Sequence, residues 1–384
     1  YKEMFSKPFM KILEVCPYSA GICGVWTRVL EESKRLSKLG FEIKIFSSNF
    51  EKGTNKKVPL NDKIENIEIK RFSAVKLGGE SFMSWDFEKE ALDYSPDIIF
   101  THNYRHLHTT KCLKIAEKLR RKGKKCKVFL VTHAPFPEGN VTRSAIAKII
   151  VSFYDKFVGS RTLNKFDKIL TISKWEIPFL LKAGAKKNKI IYIPNGIPEE
   201  FFTQKKTEKE ENKILYLGRV SPKKKLETLI RAIPYLKDKK IKIEIVGPRE
   251  AEYYLYILKI IKKTKTQNRI KFLESIYNIR DKIKKLDSAK IYVLASRVEG
   301  MPQSLIEAMA REKIVIGSNS LAIKDLIKNG ENGFLFEFDN SKDLAKKIDE
   351  SLQQKNSKIK KQARKSVEHF SWNKVIKKIV GVMQ

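Results

Sequence analysis

Hydrophobic and polar positions along this chain follow two alternating patterns. Short, almost continuous apolar runs, typical of buried strands, are followed by longer segments in which apolar residues recur every three or four positions, as on one face of a helix. The first such helix is predicted over residues 25–39 and ends at Gly40. Strands that alternate with helices are typical of βαβ units, so the pattern predicts an α/β fold with parallel sheets.

The predicted strands form two series separated by a polar stretch. They cover residues 12–15, 42–46, 98–101, 128–132, 168–172 and 190–193, then 214–217, 242–246, 269–273, 291–294, 314–317 and 333–336. A chain of 384 residues is too long for one ordinary core. We therefore predict two Rossmann-like domains facing across a cleft, residues 1–200 and 201–369. A C-terminal amphipathic helix, residues 370–384, is predicted to cross back and dock on the first.

The chain is strongly basic, with 79 Lys+Arg against 44 Asp+Glu and a net charge of +35. The excess is spread over both halves, and its lysines are not matched by glutamates as in thermophilic ion-pair networks. Two interpretations stay open. The surface is attracted to a polyanion, with an anionic membrane face favoured over nucleic acid, or the charge is a compositional bias on a solvated surface.

Several sequence features bear on location. No segment has the roughly 18–20 uninterrupted apolar residues of a transmembrane helix. Residues 1–9 look like an extension ahead of the first strand and not like a secretory signal. Cys16, Cys23, Cys112 and Cys126 show no C-x-x-C or metal-like spacing. We therefore expect a reduced, cytoplasmic protein, peripheral to a membrane if the charge serves membrane binding.

Two glutamates stand out beside the predicted strand 291–294. Glu299 lies in the loop just outside the strand's carboxyl end, and Glu307 lies about one turn inside the next predicted helix, 303–311. Ligands of open α/β sheets bind at this edge, and a helix N-terminus offers N–H groups and a positive dipole end to an anion. Two carboxylates can grip sugar hydroxyls while the backbone between them meets a phosphate. The arrangement predicts a nucleotide-sugar site.

A basic pair follows the first strand of the second series. Arg219 and Lys224 are five positions apart across a proline-containing turn, so both can point at one anion above the helix that follows. Charge-assisted hydrogen bonds contribute about 1.5–3 kcal/mol each. Either residue alone reads equally well as a solvated charge, but together with the glutamate motif on an adjacent strand they predict a diphosphate clamp. No D-x-D motif occurs in the sequence, so we expect neither a metal nor another cofactor.

The order G-R-V-x-P-x-K, E-G-M-P, E-A-M-A resembles the donor half of a retaining family 4 glycosyltransferase of group 1, which has the two-domain GT-B fold. The resemblance implies that Arg219 and Lys224 bind the donor diphosphate and offset charge on the leaving group. It further implies that Glu307 binds the ribose, Glu299 the donor sugar, and His133 reaches that sugar from the first domain. The remaining donor-binding positions that it implies are Gly24, Gly218, Gly300, Met301, Ser304, Leu305 and Ile306.

Other positions are less determined by the pattern. His102 and Asn103 follow a predicted strand and are candidates for the acceptor side, with a structural role equally open. The sequence departs from the family pattern where Lys225 replaces the glycine after the clamp lysine. It departs again where Arg311-Glu-Lys-Ile replaces a Gly-x-Pro segment. These departures leave the donor and the acceptor geometry open.

The implied reaction is retaining, metal-independent transfer of a sugar from a UDP-, GDP- or ADP-sugar to an acceptor hydroxyl. A basic amphipathic segment suggests where the acceptor lies. Its apolar residues are Ile146, Ile149, Ile150, Phe153 and Phe157, interleaved with Arg143, Lys148 and Lys156. Such a segment either packs on the core or lies in a membrane interface. The second case predicts a lipid or lipid-linked saccharide acceptor at the inner membrane face.

Three other functions were weighed. An enzyme of the same fold could serve a soluble acceptor, such as a glucan or a sugar phosphate. A polyanion- or nucleic-acid-binding protein would use the +35 charge, but no RNA motif or recognition helix is present, and the glutamate and Arg/Lys motifs would stay unexplained. A non-catalytic relative is disfavoured because Arg219, Lys224, Glu299 and Glu307 are all intact.

Overall fold

The computed structural model describes residues 10–21, 23–54, 56–76, 80–136, 145–206, 208–353 and 356–384. These residues form two compact units. The first contains the described residues up to Pro194 together with Ile376–Gln384, and the second contains Asn195–Val375. The predicted extension, residues 1–9, and Arg143 of the basic segment lie outside the described residues.

The first unit is built on an eight-stranded sheet with the order β10-β9-β8-β7-β1-β2-β4-β3, in which only β3 is antiparallel to its neighbour. Its strands are β1 Lys11–Tyr18, β2 Glu42–Ser48, β3 Asn61–Ile64, β4 Ile67–Phe72, β7 Ile98–His102, β8 Lys127–Val131, β9 Lys168–Thr171 and β10 Ile190–Tyr192, and a separate hairpin pairs β5 Ala74–Lys76 with β6 Met83–Trp85. The central strand β7 is buried at every position, as expected of a parallel strand covered on both faces.

Helices connect these strands. They are α1 Gly24–Lys38, α2 Glu88–Tyr94, α3 Leu107–Arg121, α4 Ala145–Tyr154, α5 Ser160–Leu163 and α6 Ile177–Lys182, with a π-helical turn Asp155–Gly159 between α4 and α5. Helix α1 buries not only Val29 and Leu36 but also the ion pair of Arg28 and Glu32, whose side chains lie 2.7 Å apart. A buried charged pair of this kind needs further partners, and it lies next to residues of the candidate site described below.

The second unit contains a six-stranded, wholly parallel sheet with the order β13-β12-β11-β14-β15-β16. Its strands are β11 Glu211–Leu217, β12 Lys242–Val246, β13 Ile270–Leu273, β14 Ala289–Leu294, β15 Ile314–Ser318 and β16 Phe334–Phe336. Its helices are α7 Glu200–Thr203, α8 Leu226–Ala232, α9 Ala251–Thr264, α10 Ile279–Asp287, α11 Gln303–Ala310, α12 Leu321–Lys324, α13 Ser341–Gln353 and α14 Ser357–Val367. This strand order is that of a doubly wound, dinucleotide-binding sheet.

The last helix, α15 Trp372–Met383, begins in the second unit, and its residues from Ile376 onward cluster with the first. At its end, the Lys127 ammonium of β8 donates to the carbonyls of Met383 at 2.8 Å and Gln384 at 3.0 Å. Among the described residues, no helix is both long and apolar enough to cross a lipid bilayer.

The predicted α/β class with parallel sheets is confirmed, and each predicted strand corresponds to a strand of the structure. The sequence pattern missed β3, β4, β5 and β6. β3 is largely exposed, β4 interrupts its apolar residues with charged ones, and β5 and β6 have three residues each, so none shows the continuous apolar run by which buried strands are recognised.

Candidate active site

In the second unit, two loops meet at the carboxyl edge of the sheet. β11 and β14 are neighbours, and the strand order reverses between them. Such a switch point leaves a crevice, because the connections on its two sides run to opposite faces of the sheet. The backbone N–H of Arg297, in the loop after β14, donates to the carbonyl of Lys223, in the loop after β11, at 3.0 Å. The two sequence motifs therefore lie side by side.

Lys224 and Glu299 pair directly. The Lys224 ammonium lies 2.5 Å from Oε1 of Glu299, and the two side chains are 24% and 11% exposed. An opposite charge at this distance and degree of burial offsets part of the free-energy cost of desolvating either group alone. The predicted phosphate-binding cation and the predicted sugar-binding carboxylate thus form an ion pair with each other.

Glu307 has a partner that the sequence did not reveal. Its carboxylate lies in the second turn of α11 and is almost wholly buried. The Lys282 ammonium of α10 lies 2.7 Å from Oε1 and 2.6 Å from Oε2 of Glu307. A lysine on a polar helix carries no spacing signal of its own, and only the packing of α10 beside α11 brings the two together.

A second ion pair fixes these two helices. Arg311, the last-turn cap of α11, and Asp287, the last residue of α10, are both buried and make two bonds, Nε–Oδ1 at 2.9 Å and Nη2–Oδ2 at 2.6 Å. Arg311 also donates to the carbonyl of Gln204 at 2.7 Å. The departure from the family pattern at Arg311 therefore serves packing, because it locks the helices that present Lys282 and Glu307.

The start of α11 is partly engaged within the protein. The N–H groups of Leu305 and Ile306 donate to the Pro302 carbonyl at 3.1 and 3.2 Å, as in any first helical turn. The Ser304 hydroxyl bonds the buried phenol of Tyr292 at 2.7 Å. The Met301 sulfur accepts the N–H of Asn195 at 3.2 Å. The N–H groups of Leu305 and Ile306 are therefore engaged within the helix. Gly300 lies half-buried in the loop between Glu299 and Met301.

The loop after β11 has its own backbone requirements. Gly218 has φ +155°, and a Cβ there would lie 3.1 Å from the hydroxyl of Tyr216. That hydroxyl donates to the carbonyl of Arg219 at 2.8 Å, which fixes the turn. The Arg219 side chain is exposed. Of the two predicted clamp residues, Lys224 is thus half-buried and paired with Glu299, and Arg219 is exposed.

Lys225 adopts a left-handed conformation, with φ 51° and ψ 42°, at the N-cap of α8. This is the position where the family pattern has glycine, which reaches that conformation without steric cost. A residue with a Cβ pays about 1–2 kcal/mol there. The turn of this chain thus has a left-handed backbone at Lys225 although no glycine is present.

In the first unit, three side chains form a buried hydrogen-bonded chain. Glu14 of β1 and His102 at the end of β7 are fully buried, and Glu14 Oε2 lies 2.7 Å from His102 Nε2. His102 Nδ1 lies 2.8 Å from Nε2 of His133, which follows β8. β1 and β7 are neighbours where the strand order of this sheet reverses. His102 thus lies behind His133 with both ring nitrogens engaged, instead of lining a surface for an acceptor.

Burial controls the protonation of this chain. It lowers the pKa of His102 to about 3, and it lowers the pKa of His133 well below the usual histidine value. Burial also raises the pKa of Glu14 to about 8, although the Arg28 guanidinium opposes the shift. Both imidazoles are therefore neutral at physiological pH.

The loop that carries His133 is held by a buried glutamate. Glu176 accepts the hydroxyl of Thr132 at 2.5 Å and the N–H of Ala134 at 2.8 Å on one oxygen. On the other it accepts the N–H groups of Ile172 and Ser173, both at 2.9 Å. Burial raises its pKa to about 7 against these donors. Glu176 thereby ties the ends of β8 and β9 together.

The backbone is strained at these strand ends. His133 and Ala134, after β8, have φ values of 56° and 54°, and Asn103 and Arg105, after β7, have 73° and 68°. Non-glycine residues rarely adopt this region, and such strain clusters at functional sites.

Gly24, the first residue of α1, has no atom of the other described residues, apart from its chain neighbours and its own helix backbone, within 4 Å of the position that a Cβ would occupy. Packing within the described residues therefore does not demand glycine there.

The predicted amphipathic segment presents an apolar surface. Ile149, Phe153 and Phe157 are 58%, 62% and 54% exposed, and the two phenyl rings stack with centroids 5.8 Å apart. Asp155, between them, accepts the hydroxyl of Tyr104 and the Nε–H of Arg105, both at 2.9 Å. The expectation that the segment packs on the core is therefore wrong for these three apolar side chains. The side chains of Ile146, Lys148 and Ile150 lie outside the described residues.

Comparison with known proteins agrees with this geometry. Residues 22–201 match the model for "Glycosyltransferase Family 4", and residues 198–366 match the model for "Glycosyl transferases group 1". An uncharacterized glycosyltransferase of Methanocaldococcus jannaschii is 27% identical over 96% of each chain. An α-1,4-N-acetyl-D-galactosaminyltransferase of Campylobacter jejuni, named for an undecaprenol-diphosphate-linked trisaccharide, is 32% identical over 44% of this chain and 46% of its own.

Solved structures share the fold over the whole chain. The structure of HepE of Anabaena in complex with UDP matches with a TM-score of 0.74 and 16% identity, covering 98% of this chain and 99% of that one. The two family models together span both units, from the start of α1 to the end of α14. This chain is a group 1, family 4 glycosyltransferase.

Proposed function

We propose that the protein is a retaining transferase that moves a sugar from a nucleoside-diphosphate sugar to a lipid or lipid-linked saccharide at an anionic membrane face. The observation that carries the proposal is the pairing of Lys224 with Glu299, next to the pairing of Lys282 with Glu307, at the switch point of the second sheet. Each pair combines a cation with a carboxylate, and a ligand that joins a charged diphosphate to polyhydroxylated rings needs both kinds of group, which supports the proposal.

The proposed roles follow from the charges. The ammonium of Lys224 and the guanidinium of Arg219 bind the diphosphate and stabilise the charge that develops on it as the glycosidic bond breaks. Glu299 and Glu307 accept hydrogen bonds from sugar and ribose hydroxyls. His133 contacts the donor sugar. The bound UDP of the Anabaena structure supports a uridine donor as the first to test. Retention is carried over from the family resemblance.

The apolar surface of the first unit supports the membrane acceptor. Phe153 and Phe157 project large rings into solvent beside Lys156, whose ammonium lies 5.5 Å from the Phe157 ring centroid. Apolar rings with interleaved basic side chains suit the boundary between headgroups and acyl chains. Asp155 links this surface to Tyr104 and Arg105, which follow His102 and Asn103 on the same loop. The undecaprenol-linked substrate in the name of the Campylobacter relative agrees with a lipid-linked acceptor.

Transfer and membrane binding are tested separately. Nucleoside-diphosphate sugars are incubated with a lipid extract, and the anomeric configuration of the product is determined; an α-linked product from an α-linked donor is expected. Lys224→Ala should lower the rate by about 100-fold, whereas Lys223→Ala, at the exposed neighbouring position, should leave it unchanged. Inversion of configuration would contradict the retaining mechanism, and equal transfer to water-soluble saccharides would favour the soluble-acceptor enzyme.

Co-sedimentation with vesicles tests the membrane face. Wild type should bind vesicles that contain anionic lipid at low salt and release them as salt screens the charges. The double variant Phe153→Glu, Phe157→Glu should lose at least about tenfold in affinity. Leu255→Glu, on α9 and 59% exposed, is the matched control and should bind normally. Absence of wild-type binding at low salt, or an equal loss in the control, would contradict the proposal.

A further inference from the structure

The chain Glu14–His102–His133 is more elaborate than sugar contact by one histidine requires. A carboxyl group in the interior is costly unless its charge is compensated or removed. Here the Glu14 carboxyl group is fully buried and shares one hydrogen bond of 2.7 Å with His102, whose other ring nitrogen lies 2.8 Å from His133. The three groups lie on three adjacent strands or their ends, in the order β1, β7, β8. The protonation state of Glu14 therefore bears on His133 through the ring of His102.

Neutral imidazoles allow only two patterns along this chain, because each ring has one N–H donor and one acceptor nitrogen. If Glu14 is ionised, it accepts from His102 Nε2–H. His102 Nδ1 then accepts from His133 Nε2–H, and His133 Nδ1 has no proton. If Glu14 is protonated, it donates to His102 Nε2, His102 Nδ1–H donates to His133 Nε2, and His133 Nδ1 carries the proton.

We propose that Glu14 is a positioning residue whose protonation state, transmitted through the ring of His102, sets whether His133 Nδ1 is a hydrogen-bond donor or an acceptor. The proposal rests on the proposed function in one respect. If His133 contacts the donor sugar, its Nδ1 meets a sugar hydroxyl as a donor in one state and as an acceptor in the other.

The protons balance along the chain. On going from the first state to the second, His133 Nδ1 gains one proton from outside the chain of three groups, and its Nε2 proton passes to His102 Nδ1. The His102 Nε2 proton passes to Glu14. On ionisation each step runs in reverse, and one proton leaves at His133 Nδ1. Glu14 therefore gains or loses its proton through both ring nitrogens of each histidine, and the net change appears at His133 Nδ1.

The surrounding charges decide which state prevails. Arg28 of α1 favours ionised Glu14, Glu32 of the same helix opposes it, and burial outweighs both. Among the described residues, the other titratable groups around the chain are Cys16 of β1, His106, and His108 of α3. Nε2 of His108 bonds the His102 carbonyl at 2.7 Å. All three lie in environments where burial disfavours their charged forms. Burial raises the pKa of Glu14 to about 8 and also raises the pKa of Glu32, so the experiment below includes variants of both carboxyl groups.

Nitrogen-15 NMR of the full chain, labelled at its five histidines, tests the proposal without a ligand. His133 is assigned by the loss of its signals in His133→Gln. We expect His133 to change from the Nδ1–H to the Nε2–H tautomer between pH 6.5 and 9.5, and His102 to do the same with the same midpoint. A single tautomer of His133 across this range, or different midpoints for the two rings, overturns the proposal.

A pair of matched variants identifies the carboxyl group. Glu14→Gln should abolish the tautomer step, whereas Glu32→Gln, which removes the other buried carboxylate of the cluster, should retain it. A step that persists in Glu14→Gln overturns the proposal. If Glu14→Gln fails to fold, the shared midpoint of the two rings in wild type still decides.

Binding measurements separate this proposal from the proposed function. The ratio of the affinities for UDP-glucose and UDP reports on the sugar alone. It should change by about fivefold between pH 7 and 9 in wild type, the effect of one hydrogen bond, and stay constant in Glu14→Gln. A constant wild-type ratio overturns the link to the sugar. If no nucleotide or nucleotide sugar binds, the proposed function fails. The tautomer step of His133 still tests whether Glu14 sets the state of that ring.

Discussion

At the scale of single residues, the donor site works by mutual compensation of charges. Lys224 and Glu299 lie 2.5 Å apart, so each lowers the cost of keeping the other half-buried before a substrate arrives. The same contact means that Glu299 weakens the attraction of Lys224 for a diphosphate. The pair therefore favours a ligand that brings both a diphosphate and a hydroxyl donor over one that brings the diphosphate alone.

Glu299→Gln tests this compensation. Because Lys224 loses its anionic neighbour, a nucleoside diphosphate should bind up to about tenfold more tightly, a change of about 1.4 kcal/mol. Sugar transfer should fall by about 100-fold or more, because the carboxylate no longer orients the sugar. Calorimetry and initial rates measure the two effects. Glu274→Gln, exposed at the end of β13, is the control, and weaker diphosphate binding by Glu299→Gln would contradict the account.

Lys225 shows what replacing a glycine costs. Lys225→Gly should be more stable than Lys225→Ala by about 1 kcal/mol, because both lose the same side-chain contacts and only alanine keeps the left-handed strain. At Lys223, which lies in a 3-10 turn, the order should reverse by about 0.5–1 kcal/mol. Urea denaturation of the four variants measures both differences, and alanine more stable than glycine at 225 would contradict the strain.

At the scale of elements, the site depends on how strand ends are tied together. Glu176 bonds the ends of β8 and β9 through four donors and so fixes the backbone at His133. We expect Glu176→Gln to lower the free energy of unfolding by about 2–4 kcal/mol, because an amide offers one acceptor oxygen where two are used. Glu117→Gln, in an exposed pair on α3, should change it by less than about 0.5 kcal/mol.

Local sequence patterns predicted some of these elements and site residues, whereas contacts between distant elements account for the others. The apolar runs predicted the strands, and the order of motifs placed Arg219, Lys224, Glu299 and Glu307 on adjacent strand ends, because both signals are local. The partners Lys282, Glu176 and Glu14 were missed, since their roles arise only when helices and strands pack. A buried glutamate within an apolar strand, such as Glu14, is the one local signal that could have indicated a site.

At the scale of the whole molecule, buried ionisable groups set how stability depends on pH. The pKa of Glu14 is raised to about 8, so its contribution is fully present below its ordinary value near 4.5 and is lost as pH rises through 8. The buried His102 and His133, whose pKa values are lowered, act in the opposite sense below pH 6.5. The range above pH 7 therefore isolates Glu14 from the histidines.

We expect the free energy of unfolding to fall by about 1 kcal/mol between pH 7 and 8.5 in wild type. Glu14→Gln should lose most of this decrease, the remainder coming from Glu176, whose pKa burial raises to about 7, and Glu117→Gln should keep all of it. Urea denaturation at the two pH values measures the difference. Equal slopes for wild type and Glu14→Gln would show that Glu14 is ionised in the folded protein at pH 7.

The central claim is that the second unit binds a nucleoside-diphosphate sugar through Lys224 and Glu307. Thermal unfolding with UDP, GDP, ADP and their sugars, run on wild type, Lys224→Ala, Glu307→Ala and the control Lys223→Ala, tests it most directly. A ligand at about 100 times its dissociation constant stabilises by roughly 2.7 kcal/mol. We expect one nucleotide series to raise the unfolding temperature of wild type and of Lys223→Ala, but not that of Lys224→Ala or Glu307→Ala. If no nucleotide shifts wild type, or all four proteins shift alike, the donor site is not where this account places it.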